Sequence, residues 1–152
     1  MKAITFLALA LLVPVQLAAQ TSAESQVEAA INRMFDGMRD GDSTVVSAAF
    51  HPEARLMSVS NREGMPGLSV IEIDDFVAAV GQPHDEVWDE RIWDLEIRVD
   101  GNLATAWMQY AFHLDDRLSH CGVNALDLFH GPDGWKVIHI TDTRRMEGCV
   151  VP

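Results

Sequence analysis

The sequence predicts an α+β domain in which helices come first and a sheet of antiparallel strands follows. Three observations carry that expectation. Apolar residues recur at the helical period of 3.6 as far as Val80 and at the strand period of 2 beyond it. Three compact turns, Asp100-Gly101, Asp115 to Arg117 and Gly131-Pro132-Asp133-Gly134, divide the second half into four strands. The resulting order of helix, helix, hairpin, helix and four-stranded meander leaves the helices to cover one sheet face.

A removable segment precedes the first helix. Lys2 is followed by an apolar run from Ala3 to Val15, then by Gln16-Leu17-Ala18-Ala19 and a polar stretch from Gln20. That is the charged, apolar, small-residue order of a secretory signal, and the run is short for a membrane span. Cleavage after Ala19 is expected to leave one exported domain, residues 20–152, periplasmic or secreted. Without residues 1–19 the chain carries 10 basic against 23 acidic groups, and Lys136 is its only lysine. A phosphate backbone is bound by a basic stripe that releases counterions, and the densest basic window is Arg144-Arg145. Nucleic acid is therefore excluded as a partner, and no membrane contact is expected after cleavage.

Val27, Ala30, Ile31, Met34, Phe35 and Met38 place an amphipathic helix over residues 24–39, with Ser25 and Glu28 as a capping box and Gly41 as its stop. A short helix over 43–50 takes Asp42 as its cap and ends ahead of Pro52. Residues 54–60 read as a strand, 61–67 as a loop and 68–72 as the return strand. A third helix over 74–80 is closed by Gly81-Gln82-Pro83. The four strands of the meander are expected over 86–99, 102–114, 118–130 and 135–145.

Symmetric pairing about each turn assigns the sheet faces. The core face receives Trp93, Leu95, Ile97 and Val99, then Ala104 to Phe112 at alternate positions including Met108 and Tyr110, then Cys121, Val123, Ala125 and Phe129, and finally Ile138 and Ile140. The opposite face is polar, with Trp107, Leu126, Leu128, Val137 and Trp135 forming an apolar patch of the kind that supports a homodimer.

Polar residues on the core face are the informative ones. One expected row reads Arg91, Tyr110, Val123, Asp142, and the next reads Asp89, Phe112, Cys121, Arg144. A mostly apolar wall with a few convergent polar groups is the usual form of a small-molecule site. Here Asp142 is the candidate proton acceptor and Tyr110 the candidate donor to developing oxyanion charge, while Arg91 or Arg144 fixes an anionic group. Trp93, Met108, Phe112 and Val123 supply the wall. The competing reading of the same residues is a partly buried Asp142–Arg144 ion pair beside a core tyrosine.

His113 and His120 face each other across a turn with His139 on the same expected face, but they lack a third ligand at suitable spacing, so no metal or other cofactor is expected. A bulge near Gly122 would turn His120 inward and Cys121 outward, which keeps His120 among the candidate ligand-binding residues. In an oxidising setting Cys121 and Cys149 either form a bridge or stay as two thiols, and a bridge would fasten the tail over the sheet end.

With the strands placed, the chain resembles a nuclear transport factor 2-like (NTF2-like) domain, the cone-shaped fold shared with ketosteroid isomerase and polyketide cyclases. The stretches Gly101 to Trp107, Ser119 to Val123, Asp133 to Ile138 and Asp142-Thr143-Arg144-Arg145 are similar to a secreted bacterial subgroup labelled lumazine-binding-like. The resemblance implies a curved antiparallel sheet wrapped round three N-terminal helices, a pocket between them, and dimerisation through the convex sheet face. Enzymes of the superfamily place acid–base residues inside the cone, but their motifs do not transfer residue by residue to this chain.

Two functions are compatible with these features. One is an exported domain that binds a small, largely apolar ligand in its cone, with cofactor-free acid–base catalysis of the isomerase, cyclase or dehydratase type as its sharper form. The other is a non-catalytic periplasmic or secreted dimerisation and assembly module that works through Trp107, Trp135 and Leu128.

Overall fold

The computed structural model describes residues 15–62 and 64–152. Most of the expected signal segment, residues 1–14, lies outside the described residues. Three helices, α1 (Val15–Arg39), α2 (Ser43–Ala49) and α3 (Ile73–Val80), pack on one face of a six-stranded sheet. Its strands are β1 (Phe50–Arg62), β2 (Met65–Ile71), β3 (Trp88–Asp100), β4 (Leu103–Leu114), β5 (Arg117–Gly131) and β6 (Gly134–Arg144).

The apolar stripe of α1 sets the centre of the core. Val27, Ile31, Met34, Phe35 and Met38 are all buried, at the spacing that returns a side chain to the same helix face. Full burial of each such side chain contributes roughly 1.5–3 kcal/mol. Because α1 is already helical at Val15, Ser25 and Glu28 lie in mid-helix and are not a capping box. Gly41, at φ +67°, ends the helical region as expected. Asp42 then caps α2, its Oδ1 accepting from the backbone N–H groups of Thr44 and Val45 at 3.0 Å each. The two helices approach closely at Gly37, where an added Cβ would come within 2.7 Å of the Val45 side chain.

The strand order is β2-β1-β6-β5-β4-β3. All neighbours are antiparallel except β1 and β6, which run parallel. The meander β3 to β6 was legible from its turns; the parallel seam that adds β1 and β2 to it was not.

Three irregularities decide which side chains face the helices. In β3 the pairing shifts between Trp93 and Glu96, with Asp94 at φ +51°. In β5 His113 pairs with Leu118 while Phe112 pairs with His120, so Ser119 is an extra residue. In β6 Asp127 pairs with His139 and Leu128 with Val137, which makes Ile138 the extra residue. Each bulge exchanges the two faces of the strand beyond it. Leu126, Leu128, Trp135 and Val137 are consequently buried in the core and do not form an outer patch. Of that expected patch only Trp107 stays outside, 53% exposed. Cys121, Val123 and Ala125 leave the concave face for the same reason, since Gly122, Asn124 and Leu126 occupy the inward positions.

Cys121 is joined to Cys149 by a disulfide. Two backbone hydrogen bonds between Cys121 and Arg145, each 3.0 Å, hold the start of the tail beside β5. Among the described residues, no helix is long and apolar enough to cross a membrane.

Candidate functional site

The concave sheet face and the helices opposite it enclose a cavity of about 100 Å³. Its apolar wall comes from Met34, Phe35 and Met38 on α1, Leu56 on β1, Phe76 on α3 and Ile140 on β6. Six polar side chains line its other end: Glu90 on β3, Tyr110 on β4, His120 and Asn124 on β5, and Asp142 and Arg144 on β6. They meet because neighbouring strands present one face at one height: Ile92 pairs with Tyr110, Tyr110 with Gly122, and Asn124 with Asp142.

Tyr110 reaches across a whole strand. Its hydroxyl lies 3.0 Å from Asp142 Oδ2 and 3.0 Å from the Thr143 carbonyl oxygen, so its single proton is shared between two acceptors on β6. Between β4 and β6 runs β5, and the β5 residue beneath the ring is Gly122. An added Cβ there would collide with the Thr143 carbonyl and come within 2.8 Å of the Tyr110 ring. Only glycine leaves this passage open.

Asp142 also lies 3.6 Å from the Arg144 guanidinium. Glu90 retains some surface as a residue, and its carboxyl group belongs to the cavity lining, where Oε1 accepts a 2.7 Å hydrogen bond from Asn124 Nδ2. Burial pushes the Glu90 carboxyl up to about 7; the nearby Asp142 adds to the rise, while Asn124 and Arg144 oppose it. Burial lowers His120 to about 4, with Arg144 acting in the same direction and Asp142 against it. The Tyr110 phenol is pushed well above its usual range by burial and by the neighbouring Asp142 and Glu90, so it remains a donor. His120 is fixed by Ser119 Oγ, 3.1 Å from Nδ1, and by ring contacts with Phe112 and Tyr110.

Four of the expected site residues therefore line one cavity: Asp142, Tyr110, Arg144 and His120. His120 enters through the bulge at Ser119, three residues before Gly122. Met108 faces the same side but is fully buried in the adjoining core, and Phe112 supports His120 from behind. Three others are turned away. Arg91 pairs with Ala111 and places its Nε 2.6 Å from Asp89, so the expected row from Arg91 to Asp142 does not form. Trp93 and Val123 both pair with Gln109, on the alternate parity to the lining residues. His113 follows Phe112 and points to the other side from His120, so the two do not share a site.

Glu90 and Asn124 line the cavity and were not anticipated. For Glu90 a signal was present: Ile92 and Trp93 are consecutive apolar residues in a strand of otherwise alternating pattern, the mark of a phase change. Asn124 gave none, because its inward position depends on Ser119.

The sequence matches the model of the family described as "Putative lumazine-binding" over residues 22–140. No curated protein matches it. Similar solved structures include an NTF2-like protein with a cystatin-like fold from Novosphingobium aromaticivorans, at TM-score 0.71 and 13% identity over 93% of this chain and 95% of that one. A protein of unknown function from Mycobacterium tuberculosis aligns at TM-score 0.70 and 12% identity, covering 86% of this chain and 76% of its own. An NTF2-like protein from Streptomyces avermitilis described as a "putative dehydratase" aligns at TM-score 0.62 and 14% identity, covering 82% and 97%. At such identities these likenesses establish the cone fold and leave the chemistry to the cavity itself. By its family match the chain belongs to the lumazine-binding-like family, and its architecture is the NTF2-like fold.

Proposed function

We propose that this is an exported domain, released by cleavage after Ala19, that holds a small and largely apolar molecule in the concave cavity. The observation that carries this reading is the convergence of six polar side chains from four strands on one end of an otherwise apolar cavity. Membership of a lumazine-binding-like family agrees with a small ligand. A cavity of about 100 Å³ is of the same order as the roughly 150 Å³ that admits benzene, so the part held without wall movement is a single ring or a comparably compact group.

The sharper form of the proposal is cofactor-free proton transfer, for which Asp142 and Tyr110 remain candidates and Glu90 joins them. The alternative, an assembly module acting through its outer sheet face, now rests on Trp107 and the hollow around it, lined by Glu96, Arg98, Thr105 and Asp127.

Native mass spectrometry of residues 20–152, purified without denaturation from an oxidising compartment, tests both. A retained small molecule that is lost in Arg144→Ala supports the pocket. An empty dimer that becomes monomeric in Trp107→Ala supports the assembly module and overturns the pocket.

A further inference from the structure

We propose that Glu90 is the ligand-contacting group of the cavity and that it selects an uncharged ligand carrying a hydrogen-bond acceptor, a carbonyl oxygen or a ring nitrogen, over an anion. The inference rests on the small-molecule reading and adds the class of ligand to it.

Most polar groups of the cavity are already committed. Tyr110 spends its proton on Asp142 and Thr143, and Asn124 donates to Glu90. Arg144 directs its Nε toward Asp142, and Ser119 lies against His120. Glu90 Oε2 stays open, since Asn124 binds only Oε1; among the described residues the Asn124 oxygen, His120 Nε2 and the terminal Arg144 nitrogens are open as well. That arrangement suits a neutral carboxyl group, with its carbonyl oxygen toward Asn124 and its hydroxyl toward the cavity. A ligand then receives a directed hydrogen bond from Glu90 at the polar end and meets methionine, phenylalanine and aliphatic surface at the other.

Charge points the same way. The titratable groups facing Glu90 are Tyr110 from β4, His120 from β5, and Asp142 and Arg144 from β6. The side chains reaching the cavity from α1, α3, β1 and β2 are apolar. With Glu90 neutral, Asp142 alone balances the one guanidinium, which is half-exposed and already beside it. An entering anion finds no net positive charge, because Arg144 already faces Asp142 and Arg91 is engaged with Asp89 outside the cavity. A neutral acceptor incurs no such penalty.

The test uses small probes and the methyl resonances of Met34 and Met38, both in the cavity wall. Cyclopentane, cyclopentanone and cyclopentanecarboxylate are titrated into residues 20–152 at pH 6 and pH 8. The expected result is that cyclopentanone shifts both methyls, binds more tightly than the other two at pH 6, and weakens about tenfold by pH 8 as Glu90 loses its proton. Glu90→Gln, which keeps a neutral donor, is expected to abolish that pH response. Should the variant not fold, the wild type decides alone: bound cyclopentanone must raise the titration midpoint of the Glu90 carboxyl carbon. If cyclopentane binds and cyclopentanone gains nothing over it, or if the carboxylate binds equally well, the Glu90 assignment is wrong while the cavity reading survives. If none of the three moves either methyl, the cavity reading fails and the ligand class with it.

Discussion

Glu90 and His120 sit in one polar cluster and are displaced in opposite directions, which makes their linkage to folding separable. The Glu90 carboxyl is raised to about 7 in the folded chain, so between about 4.5 and 7 the unfolded state has lost a proton that the folded state keeps. Its contribution to stability therefore falls as pH rises through that window, by on the order of 3 kcal/mol. His120, lowered to about 4, behaves in the reverse sense: from about 6.5 downward the unfolded state takes up a proton that the folded state refuses. Stability from this residue falls as pH drops from about 6.5 to 4. The two effects oppose one another between about 4.5 and 6.5. Denaturant unfolding across that range should show stability declining with rising pH in His120→Gln and increasing with rising pH in Glu90→Gln, each relative to wild type. Parallel curves for all three proteins would contradict the environments assigned to both residues. Tyr110, Asp142 and Arg144 were legible as a polar group on an apolar face, because β4 and the end of β6 keep the phase that turn symmetry gives them. Arg91, Trp93 and Val123 were misplaced because Asp94 and Ser119 shift that phase: in β3 the adjacent Ile92 and Trp93 mark the shift, while in β5, whose two faces both contain apolar side chains, a shift of one residue is invisible.

Apart from the start of α1, which lies nine residues before the expected one, every strand and helix of the described chain was anticipated to within a few residues, because period and turn chemistry are local properties. The pairing of β1 with β6 is not local and left no trace in either strand. Bulges lie between these cases, since their residues are ordinary and only their pairing is unusual. Gly122 is the exception, a position at which an element-level requirement is written in one residue. It gives the Tyr110 side chain a passage over β5 to β6, so it couples three strands at the polar end of the cavity. Gly122→Ala should destabilise the domain by about 1–3 kcal/mol through overpacking. Gly67→Ala, whose nearest neighbour would be 3.8 Å away, supplies the comparison and should change stability by less. Equal effects in thermal or denaturant unfolding would show that Tyr110 has another way across.

The molecule is held together across its length by two long-range devices, the Cys121–Cys149 bridge and the central seam. The bridge closes a loop of 28 residues that contains all of β6, and loop-entropy arguments assign it roughly 3–4 kcal/mol. Cys149→Ser should lower the unfolding free energy by about 2–4 kcal/mol, with the helical signal of the native state retained. A variant as stable as the wild type would mean that the tail contributes by packing alone. The seam has a different consequence, one of timing. Because β6 is the last strand in the chain yet lies between β1 and β5, the hairpin β1-β2 cannot join the meander until the C-terminal strand has arrived. Leu56 must wait for Ile140, and closing a loop of that span makes folding slow relative to a helical domain of the same size. A nascent chain of this design holds β1 and β2 as an unjoined hairpin until β6 has been made, so its sheet is completed late in synthesis.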